Sequence, residues 1–185
     1  MNINLEAVYA GQVSYADLTR TIHHADLYST TDELFDALEA ILSETTDATV
    51  LFVPRDPAVE DKGEQGWTLS HVVAHLTATL EEAAAIAAML ARGVLVEERL
   101  RFETPWQTLT TRQMVQARLT ESRRICHALL DAWPDEPHLD VTRTLIPLFG
   151  PMDAVGFSVL GLAHSQEHLS QLRDIVHQFN AAEGR

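Results

Sequence analysis

Between Thr68 and Arg92 the apolar residues Leu69, Val72, Val73, Leu76, Leu80, Ala83, Ala87 and Leu90 recur three and four positions apart. That spacing puts them on one stripe of a long helix, and a stripe of that length needs a core to face. Thr68 supplies the N-cap and Gly93 the stop. Three further segments read the same way. The first helix of the core is expected to begin after Thr30 or Thr31, with Leu34, Leu38, Ile41 and Leu42 as its stripe. A third is expected from Thr110 or Thr111 to just before Pro134, carrying Val115, Leu119, Ile125, Leu129 and Leu130. A fourth opens with Pro151 at its first position and runs to about Asn180. Tyr15 to His24 reads as a shorter helix, Pro54 to Gly66 as a loop, and Val50 to Val53 as a short extended segment with no partner to make a sheet.

Four long amphipathic helices predict an all-α chain folded as a four-helix bundle. The connection from Gly93 to about Leu109 is longer than an antiparallel neighbour needs. At roughly 3.3 Å per residue it can return along a whole helix of about 35 Å. Helices two and three are therefore expected to run parallel across a long crossover, giving up-down-down-up topology.

Charge and cysteine content narrow the function classes. The 185 residues carry a formal charge of −14, which opposes binding to nucleic acid phosphates or anionic lipid. The run Glu97-Glu98-Arg99-Leu100-Arg101 reads as solvated surface. Cys126 is the only cysteine, so disulfide frameworks and cysteine-based zinc knuckles are excluded, and it reads as a small core residue. The first residues lack the basic and apolar regions of a signal peptide, and the small apolar run Ala83 to Ala91 is too short to span a bilayer. A cytoplasmic protein without nucleic-acid or membrane partners is expected.

The chemistry is carried by histidines. His164 and His168 stand four apart in the fourth helix, and His71 and His75 stand four apart in the second. Residues at that spacing are neighbours on one helix face, and two imidazoles so placed can share a metal ion. Helical phase sorts the candidates. His168 falls near the centre of the stripe formed by Leu169, Leu172, Ile175, Val176 and Phe179, His164 falls at its edge, and Glu167 falls opposite. On the second helix His75 lies nearer the stripe than His71, so His75 is the expected third ligand. Glu82 is a candidate fourth ligand or orienting partner, and Gln171 a candidate to orient a ligand or a bound water. Gly161, on the same face as His168, marks either space kept beside the histidines or close helix packing. His23, His24, His127, His138 and His177 carry no such spacing, and Trp67 and Trp106 read as packing anchors.

The segment Trp67-Thr68-Leu69-Ser70-His71-Val72-Val73-Ala74-His75-Leu76 resembles the second-helix signature of the DinB-like superfamily, in which a Trp precedes a helix carrying one metal-binding His before a Leu. The run from Gly161 to Gln171, with its His-x-x-x-His, resembles that superfamily's last conserved helix. The resemblance covers about residues 30 to 180. It implies a four-helix bundle domain over 30–185, an N-terminal extension over 1–29, and a three-His metal site on His75, His164 and His168, with His71 extra to the pattern. It also implies kinship with thiol S-transferases and isomerases that use bacillithiol, mycothiol or glutathione.

The expected activity is transfer of a low-molecular-weight thiol to a small electrophilic substrate at a divalent transition metal. Nitrogen donors suit Zn, Ni, Fe or Cu without selecting sharply among them; Zn or Ni is the expected ion, with Fe an alternative. Hydrolysis by an activated water at the same ion is a second reading. A non-catalytic metal-binding or dimerisation bundle is a third, and a homodimer suits any of them. His164-Ser165-Gln166-Glu167-His168 also has the His-x-x-Glu-His order of inverzincin proteases, against which the outward phase of Glu167 argues.

Overall fold

The computed structural model describes residues 3–57, 63 and 65–184. The described residues are helical, with no strand among them. Two short helices, α1 (Glu6–Tyr9) and α2 (Tyr15–Thr19), precede α3 (His24–Ser43) and α4 (Asp47–Leu51). Three long helices follow: α5 (Leu69–Ala91), α6 (Arg112–Asp131) and α7 (Ala154–Ala182).

The caps explain where each helix begins. Thr68 accepts from the His71 N–H and starts α5, and Thr111 accepts from Met114 and starts α6, as the sequence predicts. Helix α3 starts earlier than expected, at His24. The Asp26 carboxylate accepts the His23 N–H at 2.8 Å and fixes the start there. Thr30 and Thr31 are mid-helix residues whose hydroxyls donate back to the Asp26 and Leu27 carbonyls, so they need no cap position. Helix α7 starts later than expected, because Asp153 rather than Pro151 opens it by accepting the Gly156 N–H at 2.8 Å. Pro151 is held outside by Arg143 and Met152, which exchange backbone hydrogen bonds of 2.9 and 3.0 Å. The extended segment expected over Val50 to Val53 is partly replaced by α4, since Thr46 caps Thr49 and closes a turn through Leu51. Of the loop expected over 54–66, residues 58–62 and 64 lie outside the described residues.

The four long helices pack about one apolar core. Helix α3 lies against α6 and α7, and α5 lies against α6 and α7, so α3 and α5 face each other across the core. Leu27, Phe35, Val72, Leu76, Val115 and Phe157 fill it with almost no exposure. Along α3 and α6, Tyr28 meets Asp131 at 2.7 Å and Arg112 meets the Leu42 carbonyl at 3.0 Å. Along α5 and α6, Arg118 bonds Thr77 and Glu81, while the His138 N–H donates to Ala91. The N-terminal residues join the same core: Ile3, Leu5, Val8 and Tyr15 are buried, and the Tyr15 hydroxyl donates to the Gly156 carbonyl at 2.7 Å.

Helix α5 is long and apolar enough to cross a membrane by length and composition, beyond the Ala83–Ala91 run noted in the sequence. In the fold 61% of that apolar window is buried, so it serves as a core helix.

Candidate metal centre

Helices α5 and α7 approach very closely at one point. A Cβ on Gly161 would lie 2.6 Å from the Ala83 Cβ, so the glycine marks close helix packing. One turn further along α7, and two turns back along α5, that contact brings three imidazoles together. His75 Nε2 lies 3.1 Å from His164 Nε2, and His168 Nε2 lies 3.2 Å from the same atom. The three donor atoms all fall within 4.8 Å of one another. The rings meet steeply, with interplanar angles of 64°, 75° and 84°, so their Nε2 edges rather than their faces converge.

Proton counting shows what this arrangement lacks. A guanidinium only donates, so His75 Nδ1, 3.2 Å from Arg101 Nη2, accepts. The neutral His75 ring then carries its proton on Nε2 and points it at His164. His168 Nδ1 stands 2.7 Å from Gln171 Oε1, an acceptor, so its proton is on Nδ1 and its Nε2 lone pair faces His164 as well. His164 Nε2 cannot satisfy both neighbours: either a lone pair or an N–H is left facing its like. A cation at the convergence point gives lone pairs a common partner once the His75 proton moves to Nδ1, with Arg101 Nη2 donating instead to the His75 carbonyl 3.3 Å away. Metal–nitrogen bonds of about 2.0–2.1 Å space two ligand nitrogens about 2.8–3.0 Å apart on octahedral edges and about 3.3–3.4 Å on tetrahedral ones, and the two short contacts, 3.1 and 3.2 Å, fall between these. The electrostatics agree. Burial, reinforced by Arg101 and the neighbouring histidines, pushes His75 down to about 4. Burial, then His168 and Arg101, pushes His164 down to about 4. Both rings are therefore neutral at neutral pH, so neither must lose a charge-bearing proton to bind a metal. The residues fit a divalent transition metal.

A family model described as the DinB superfamily matches residues 30–172, most of the chain. The chain belongs to the DinB superfamily. No curated protein and no solved structure matches it significantly. The match takes in all three clustered histidines and the whole crossover between α5 and α6.

The other residues singled out in the sequence of this DinB superfamily chain fall in different places. Gln171 contacts His168 and fixes its tautomer. Glu82 does not join the nitrogen cluster; its carboxylate accepts from Arg99 Nε at 3.1 Å and reaches Arg101 at 3.8 Å. His71 is also outside the cluster, stacked between Trp67 at 4.1 Å and Trp106 at 5.0 Å. Glu167 is exposed and points away, as its phase predicts. Cys126 is buried, and burial pushes its thiol up to about 12, which leaves no activated thiolate there.

Two features of the site correct the sequence reading. Arg101 belongs to a run expected to be solvated surface, yet its side chain is only 13% exposed. It donates to Thr79 Oγ1 at 2.7 Å and Glu103 at 2.6 Å, and it faces His75. The crossover lays it there, and no local pattern announces which of its charges turns inward. Trp67 and Trp106 pack as expected, but they pack on the site: Trp67 also meets His75 edge-on at 5.1 Å. Together with His71 they form an aromatic wall that pins the crossover turn Trp106–Thr108 to α5.

Proposed function

We propose that this chain is a metal-dependent enzyme that holds one divalent transition-metal ion on His75, His164 and His168 and transfers a low-molecular-weight thiol to an electrophilic substrate. The convergence of three Nε2 atoms that cannot satisfy one another by hydrogen bonding carries this reading. Three protein nitrogens leave open positions, as catalytic sites do. When bound, the ion supplies Lewis acidity that lowers the pKa of a thiol or a water. Zn or Ni is the preferred ion, Fe the alternative.

The chain's own groups do the rest. Gln171 holds His168 in the Nδ1–H tautomer, leaving Nε2 free to ligate. Arg101, held by Glu103 and Thr79, keeps positive charge beside the centre and favours an anionic nucleophile over its neutral form. The Trp67–His71–Trp106 wall shields one side from water. We also assign up-down-down-up topology, supported by the residues that meet. Tyr28 with Asp131 and Arg112 with Leu42 make α3 and α6 antiparallel. Arg118 with Thr77 and His138 with Ala91 make α5 and α6 parallel. The exposed Glu167 leaves the inverzincin arrangement without a base at the metal.

The test is metal content by mass spectrometry of the purified protein, beside His164→Ala/His168→Ala, followed by screening thiol–electrophile pairs. About one ion per chain, lost in the double variant, together with metal-dependent thiol transfer is expected. An ion bound without turnover of any pair refutes the enzyme and leaves a metal-stabilised bundle.

A further inference from the structure

A cavity of about 270 Å³ lies along the same α5–α7 seam, one turn from the histidines on each helix: Thr79 follows His75 by four residues, and Gly161 precedes His164 by three. Its walls are mainly apolar, from Ile86, Leu145, Phe157 and Leu160, and its charged lining is Arg99 and Arg143 together with Glu82 and Glu97. None of the three histidines lines this cavity, nor the larger hollows of about 330 Å³ beneath the N-terminal segment and about 400 Å³ between α3 and α7. Arg101 links this cavity to the metal centre, since one guanidinium nitrogen bonds Thr79 in the cavity wall and another faces His75.

The charges at its rim are unequal. Arg99 spends its charge on Glu82, and Arg101 on Glu103. Arg143 has no carboxylate within ion-pair distance among the described residues; it donates only to the Glu97 and Glu98 carbonyls, at 2.8 and 3.4 Å. A half-buried guanidinium without a carboxylate at ion-pair distance, lining an apolar cavity, suits an anion with an apolar body. The volume sits just below the ~300–1,000 Å³ of sites for drug-sized ligands, which limits the body to roughly a phenyl ring with a short chain.

We propose that this cavity binds a small apolar monocarboxylate, its carboxylate on Arg143 and its body along Leu160 and Phe157, and that the substrate form of this molecule carries a polarised carbon–carbon double bond to which the thiol adds at the neighbouring centre, the sulfur bonding one carbon and the thiol proton the other as the π bond breaks, with no leaving group. The last clause rests on the function proposed above; binding itself does not. The probe is 4-phenylbutanoate against its neutral amide, titrated by calorimetry into the metal-free and the metal-loaded protein. The carboxylate is expected to bind saturably to both forms, with the amide at least ~10-fold weaker, the loss of one charge-assisted contact. Arg143→Met should erase that preference without abolishing amide binding. Leu160→Trp, which fills the cavity from a partly exposed position, should abolish both, with the helical circular dichroism of each variant checked against the parent. No saturable carboxylate binding, or binding indifferent to both substitutions, overturns the proposal. Binding that follows these expectations in a protein showing no thiol transfer leaves the pocket standing and refutes only the enzymatic reading. Thiol transfer without such binding does the reverse.

Discussion

Gly161→Ala tests whether the α5–α7 contact sets the spacing of the metal centre. In a free helix the substitution stabilises by about 1 kcal/mol. Here the new Cβ lies 2.6 Å from the Ala83 Cβ, whereas ordinary contact begins at 3.4 Å. Neither methyl group has a rotamer to escape into, so the backbones must separate by about 1 Å. Overpacking of this kind costs about 1–3 kcal/mol, and separation also thins dispersion contacts along the seam. The net expectation is a loss of about 0–2 kcal/mol, or up to about 8 °C in Tm for a chain of this size. The sign alone does not isolate the contact, but a double-mutant cycle does. In an Ala83→Gly background the clash is gone, and Gly161→Ala should stabilise by its helix propensity of about 1 kcal/mol. The coupling between the two positions is then about 1–3 kcal/mol, measured by urea denaturation of the metal-free proteins. Gly161→Ala alone should also weaken metal binding, because opening the seam carries His75 away from His164, while the double variant restores it. Additivity within about 0.5 kcal/mol would refute the contact and with it the claim that helix packing, rather than the histidines, positions the site.

Four further outcomes follow from the same geometry. His164→Ala removes the nitrogen that both other histidines approach and should lower metal affinity by at least ~100-fold, the upper end of what losing a mere orienting partner of a ligand costs, read by chelator competition. Stability of the metal-free protein should be full above about pH 6.5 and fall as pH drops towards about 4, then level. The unfolded His75 and His164 protonate at the ordinary value while the folded ones stay neutral down to about 4, so the unfolded state takes up more protons in that window; a Tm flat across it contradicts the burial of these rings. Arg101→Met keeps the stem and removes a positive charge that faces His75 and, after burial, adds to its depression; with that charge no longer opposing a cation, metal should bind more tightly at neutral pH, and weaker binding in a competition assay would mean that Arg101 assembles the site instead. Tyr15→Phe deletes the buried 2.7 Å bond to the Gly156 carbonyl and should cost about 1–3 kcal/mol in urea unfolding, against near zero if the N-terminal segment were a detached extension.

The elements were readable wherever the apolar period ran uninterrupted. Leu69 to Leu90 defined α5 to within a residue at either end, because Thr68 and Gly93 are unambiguous start and stop signals. Reading failed where a local signal had two uses. Thr30-Thr31 is a good cap pair, yet a threonine hydroxyl can also return to the carbonyl four residues back, and a helix already nucleated at His23 and Asp26 takes that option. Pro151 suits a first helical turn, but the bridge between Arg143 and Met152 holds the chain extended there and passes the cap to Asp153.

The site divides along the same line. His75, His164 and His168 were legible because each obeys a helical phase, and phase is a property of residues a few positions apart. Arg101 was not, because its place depends on how some twenty residues of irregular crossover return across α5, and no short-range period governs that path. The charge run around it even pointed the wrong way. Glu97, Glu98 and Arg99 are the exposed members that make the run look solvated, while Arg101 turns in to meet His75 and Thr79. The two guanidiniums that line the α5–α7 cavity likewise come from connections, Arg99 before α6 and Arg143 before α7, whereas the three clustered imidazoles come from the helices. Within one bundle the helices would set the metal chemistry and the connections would set which molecule is presented to it. Substitutions at Arg99 and Arg143 should accordingly alter ligand preference while leaving metal content intact, a separation that changes at His75, His164 or His168 cannot produce.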